Sequence, residues 1–127
     1  MTDGLTHQYP DLANLFSALD GVRQHEVALA IAEVAVRTSG TFLPNHDPAA
    51  LAERVEVLDE VAWDLQDEAP DRYVGAFKQA RAANAVLWCV RGEPAEAIYE
   101  AIHALDDDDL VMRLLAEASF AQDTSPD

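Results

Sequence analysis

Proline and glycine residues divide this chain into segments at positions where helices begin and end. Asp47 and Pro48 form a helix start signal, because an aspartate caps the first turn and a proline fits its first position. Pro70 and Pro94 open two further helical segments, and Gly40 stands where a left-handed residue ends a helix. No segment alternates polar and apolar residues over the length of a strand. The sequence therefore predicts an all-α fold.

Six helical segments follow from these signals and from apolar residues that recur at helical spacing. Residues 82–90 are apolar on nearly every side, so we expect the fourth predicted helix, at about residues 71–91, to be central. The 127 residues suit a single helical domain, 1–127, whose ends at 1–9 and 122–127 are frayed because neither carries a periodic apolar pattern. The expected fold is a compact bundle of five to six helices, covering residues 11–19, 20–40, 48–68, 71–91, 94–105 and 110–121.

Acidic residues outnumber basic residues by 24 to 8, which gives the chain a net charge of −16. Half of the residues are apolar, enough for a folded core, so the charge does not indicate disorder. The negative charge argues against nucleic acid or an anionic membrane as a direct partner, because both need a basic footprint. The sequence shows no signal peptide and no apolar stretch of the roughly 18 residues that a membrane span needs, so we expect a cytoplasmic protein.

The charges are unevenly distributed along the chain. Residues 41–71 carry nine acids and one base, and residues 93–127 carry ten acids and one base. Residues 72–92, in the predicted central helix, carry four bases and no acid. We therefore expect the exposed first half of this helix to form ion pairs with the acidic helices beside it.

The third predicted helix, residues 48–68, separates its apolar and acidic residues onto opposite faces. Trp63 falls on the acidic side. It is either covered by another part of the chain or exposed as the anchor of a contact with a Lys- or Arg-rich partner. The face expected to pack inward carries Leu51, Val55, Leu58, Ala62 and Leu65. The candidate partner-binding site consists of Trp63, Glu56, Asp59, Glu60 and Asp67.

The leading hypothesis is a non-enzymatic protein that binds a basic protein partner through this acidic face. The sequence predicts no catalytic residue, no cofactor and no metal site, because no motif for one stands out. In size and charge the chain is similar to toxin-neutralising immunity proteins and small regulators, a resemblance that implies binding without a shared motif. The sequence leaves open whether copies of the chain form a homo-oligomer. Salt or compositional adaptation is an alternative that would explain the acidity without any partner.

A metal-dependent hydrolase is the other alternative, because Glu53, Glu56 and Glu60 place carboxylates on successive turns of one helix. Glu53-x-x-Glu56 resembles the carboxylates that hold magnesium in all-α nucleotide pyrophosphatases. That family has a second acidic motif one helix later, whereas residues 72–92 contain no acid.

Two further features, the Glu100 and His103 spacing and the single cysteine, are interpreted as structural and not as catalytic or metal-binding. Glu100 and His103 have the Glu-x-x-His spacing of di-iron bundles, but only one copy is present, and we expect them to share a solvated face with Glu96. Cys89 is the only cysteine and lies in an apolar run, so we expect a buried, inert thiol.

Overall fold

A computed structural model describes residues 4–41, 43 and 45–123 of the protein. Within these residues the chain forms seven helices and no strand, which confirms the all-α prediction. The helices are α1 (Gly4–Gln8), α2 (Pro10–Ser17), α3 (Gly21–Ser39), α4 (Pro48–Glu68), α5 (Pro70–Val90), α6 (Pro94–Leu105) and α7 (Asp108–Asp123).

The predicted helix boundaries are confirmed where capping signals set them. The Asp20 carboxylate accepts a hydrogen bond from the Arg23 N–H at 2.9 Å, and α3 begins after it. The Asp47 carboxylate accepts one from the Ala50 N–H at 3.0 Å at the start of α4. Gly40 adopts the left-handed conformation, with φ of 70°, and ends α3. These local interactions explain why the boundaries could be read from the sequence.

The start of the chain differs from the prediction. Residues 1–9 were expected to be frayed, but residues 4–8 form α1, and Leu5 is 1% exposed within the core. One apolar residue creates no periodic pattern, so the burial of Leu5 left no signal in the sequence. At the other end α7 extends to Asp123, and residues 1–3 and 124–127 lie outside the described residues.

The central helix of the bundle is α5, as predicted for residues 71–91. It packs extensively against α3, α4 and α6. Its second half buries mainly small side chains, which let the neighbouring helices approach closely. The buried residues of α5 are Ala76, Ala80, Ala82, Ala83, Ala85, Val86 and Leu87.

Among the described helices, α5 is the one that the acidic helix α4 contacts extensively, which places α4 at the edge of the bundle. Leu51, Val55, Leu58 and Ala62 form its buried face, as predicted, and Leu65 is half-buried. A helix with one main neighbour exposes a broad outer surface. This position brings the candidate site to the surface of the molecule.

Candidate functional site

Trp63 lies on the outer surface of α4 and is 76% exposed. The sequence left open whether another segment covers its indole. Among the described residues, none does so to any large extent. An exposed tryptophan is unusual, because burial of its large ring lowers the free energy of a folded protein.

A shallow depression of about 410 Å³ adjoins the Trp63 indole. Asp59, Glu60 and Asp64 form the rest of its lining. Asp59 and Glu60 lie one helical turn before Trp63, so helix geometry places all three side chains close together. The structure thus brings together three of the five predicted site residues.

Asp64 was not in the predicted site, although it belongs to the acidic face of α4. It follows Trp63 in sequence, lies one turn after Glu60 and lines the same depression. That spacing could have identified Asp64, whereas the shape of the depression could not be read from the sequence.

Glu56 and Asp67 are exposed on α4 but do not line the depression. Within the part of the chain that the structure describes, no ion pair neutralises the carboxylates of Glu56, Glu60 or Asp67. Glu56 and Asp67 therefore add negative potential around the depression without shaping it.

Asp59 differs from the other acids because an internal cation holds it. Arg81 Nη2 of α5 lies 2.6 Å from Asp59 Oδ1, and Arg81 Nη1 lies 2.9 Å from Glu100 Oε2 of α6. The side chains of Arg81 and Glu100 are 20% and 15% exposed, and that of Asp59 is 49% exposed. Arg81 thus forms the predicted ion pairs with both acidic neighbours, but it does so from a half-buried position near the middle of α5 and not from an exposed one.

The surroundings of Arg81 keep its guanidinium charged. Burial by itself would lower the pKa of Arg81, but the charges of Glu100 and Asp59 and their hydrogen bonds raise it above its ordinary value. The guanidinium also lies 5.7 Å from the centre of the Phe77 ring. Its Nε atom is buried and has no hydrogen-bond partner among the described residues. Arg81 therefore joins three helices directly behind the candidate site.

The prediction of a solvated polar face on α6 is wrong. Glu96, Glu100 and His103 are all at least partly buried, and Glu100 pairs with Arg81. His103 Nδ1 lies 2.9 Å from the backbone oxygen of Tyr99, and the two rings meet edge to face. The prediction was wrong because α6 packs closely on α5, and Arg81 reaches Glu100 across that interface.

The described residues contain no group of three or more His, Cys, Asp or Glu side chains placed to hold a metal ion. Glu53, Glu56 and Glu60 are exposed along the outer surface of α4, and within the described residues they belong to no such group.

A second cleft of about 380 Å³ lies beside α5 and α6, and the sequence did not predict it. It has both signs of charge in its lining, which includes Lys78 and three aspartates of residues 106–108. Three aspartates outnumber Lys78, so this cleft also carries net negative charge. The depression beside Trp63 differs from it because its described lining combines carboxylates with an exposed indole and includes no base.

Comparison with protein-family models, with curated proteins and with solved structures finds no significant match to this chain. No helix in the described ranges combines the length and the apolar character needed to cross a membrane.

Proposed function

We propose that this protein acts by binding a basic partner protein through the outer face of α4, without catalysing a reaction. Trp63 is the apolar anchor, and the carboxylates around it attract the partner. The observation that carries the proposal is the 76% exposure of Trp63 beside acids that no described cation pairs with, Glu60 among them.

The two kinds of side chain have different roles in such a contact. Tryptophan is enriched among the residues that contribute most to binding free energy, because its ring removes a large apolar area from water. The surrounding acids raise the association rate and select against acidic partners. The same negative field would repel the phosphates of nucleic acid or of an anionic membrane. A basic protein in the cytoplasm is therefore the partner we propose.

A double substitution, Trp63→Ala with Glu60→Lys, tests this surface. The matched control is Phe120→Ala with Glu117→Lys, since Phe120 is 70% exposed and Glu117 is an exposed acid one turn before it. Both variants change the net charge equally and remove one exposed ring each. Purified wild type and both variants serve as baits for proteins in a lysate of the source cells, and captured proteins are then produced and titrated individually.

The expected result is a basic protein that binds the wild type and the α7 control but not the α4 variant. Circular dichroism should show the same helix content in all three proteins, because every substituted side chain is exposed. Undiminished binding of that protein to the Trp63→Ala, Glu60→Lys variant would show that the α4 face is not its docking surface.

A further inference from the structure

We infer that the partner places an arginine, rather than a lysine, against Trp63. The planar guanidinium would stack on the indole while Glu60 and Asp64 accept its N–H groups. This inference rests on the proposed function, and it specifies the chemistry of the group that enters the depression.

The geometry of the depression favours a planar, multidentate cation. Glu60 and Asp64 are one turn apart and border the same depression as the indole, so one group can reach both acids and the ring. Asp59 contributes less, because its Oδ1 already accepts from Arg81. The remaining lining therefore offers two carboxylates and one aromatic surface to a single incoming cation.

This chain already uses the same combination inside its own fold. The Arg81 guanidinium lies 5.7 Å from the centre of the Phe77 ring while it binds the carboxylates of Asp59 and Glu100. Arg91 lies 5.8 Å from the centre of the Trp88 ring. Around Trp63 the ring and the acids are present, and no arginine or lysine of the described chain lies over the indole.

Lysine would use this surface less well. Its ammonium is a compact and strongly hydrated charge, whereas a guanidinium is weakly hydrated, stacks on aromatic faces and binds carboxylates with two parallel N–H groups. The depression is open to solvent, where an ion pair alone contributes little to affinity. Discrimination between the two cations therefore depends on stacking against Trp63.

Two labelled peptides test the inference: a glycine-spaced arginine peptide and its lysine counterpart of equal length and charge. Fluorescence anisotropy at low salt gives the Kd of each peptide for the wild type, for Trp63→Leu, for Glu60→Lys and for the control Phe120→Leu. We expect the arginine peptide to bind the wild type about threefold to fivefold more tightly than the lysine peptide. Trp63→Leu should remove that preference, and Phe120→Leu should retain it.

Two results would overturn the inference. Equal Kd values of the two peptides for the wild type would show that the site does not distinguish arginine from lysine, while binding of both would leave the proposed acidic docking surface intact. A preference that persists in Trp63→Leu would place the arginine site elsewhere on the protein. Failure of the proposed function is recognised separately, because then neither peptide binds the wild type more tightly than the Glu60→Lys variant.

Discussion

At the scale of single residues, Cys89 shows how the fold controls the reactivity of a side chain. This half-buried thiol lies on α5, and its pKa is raised from 9.0 to about 12. Burial is the main cause, because it disfavours the thiolate, and the negative charge of Glu33 adds to it. The thiol is therefore protonated at neutral pH, in agreement with the inert role expected from the sequence, although it is not fully buried.

Cys89 should react slowly with a disulfide reagent such as Ellman's reagent at pH 8. The raised pKa lowers the thiolate fraction by about a thousandfold, and the greater nucleophilicity of a more basic thiolate offsets part of this loss. We expect the native protein to react about thirtyfold to fiftyfold more slowly than the same protein in urea. Absorbance of the released thiolate measures both rates, and equal rates would contradict the raised pKa.

The same shift has a consequence for stability. Because the pKa of Cys89 is higher in the folded than in the unfolded state, the unfolded state loses this proton first as the pH rises. The contribution of Cys89 to the free energy of unfolding is complete below about pH 9. It declines as the pH rises towards about 12, the pKa of Cys89 in the folded state. The difference in unfolding free energy between wild type and Cys89→Ala should therefore shrink over that interval.

At the scale of helices, Arg81 connects α4, α5 and α6 through Asp59 and Glu100. Arg81→Met should lower the free energy of unfolding by about 2–3 kcal/mol, because it leaves the largely buried Glu100 carboxylate without its cation. Urea denaturation followed by circular dichroism measures the change. The matched control is Arg72→Met on the same helix. Arg72 is exposed, so its loss should change stability by less than about 0.5 kcal/mol.

A second substitution separates the loss of the pair from the loss of side-chain packing. Glu100→Gln removes the uncompensated charge, so the double variant Arg81→Met, Glu100→Gln should be more stable than Arg81→Met alone. Urea denaturation also gives the loss of unfolding free energy in Glu100→Gln alone. If that loss and the loss in Arg81→Met simply add in the double variant, the Arg81–Glu100 pair does not couple the helices.

The helices also show how far local signals extend. The start of α4 depends on Asp47 and the end of α3 on Gly40, and both are interactions within a few residues of sequence. Such boundaries could be predicted. The five-residue helix α1 could not, because it is held by the packing of Leu5 in a core formed by distant segments.

At the scale of the whole molecule, the net charge of −16 is the dominant property. Like charges repel in the folded state, so added salt should stabilise the protein by screening. We expect the melting temperature to rise with KCl up to a few tenths molar and then to level off, since the Debye length is already about 8 Å at 0.15 M. Calorimetry over a KCl series measures this dependence.

The salt series also separates two explanations of the acidity. A melting temperature that continues to rise into molar KCl would favour salt adaptation, the alternative in which the acids have no partner. Levelling combined with loss of partner binding in the Trp63→Ala, Glu60→Lys variant would favour the docking surface.

The sequence by itself determined the helical class, most helix boundaries and the two faces of α4. These features depend on capping and on the 3.6-residue period, which act over one or a few turns. The centrality of α5 was also predictable, because residues 82–90 are apolar on almost every side.

Only the tertiary structure decided that Trp63 is exposed and that Glu100 is paired. The first depends on α4 having α5 as its one extensive neighbour among the described helices, and the second on Arg81 reaching Glu100, 19 residues further along the chain. Periodicity specifies which residues share a face of a helix. Whether that face meets solvent or another helix depends on how the helices pack, and the pattern within one helix does not contain that information.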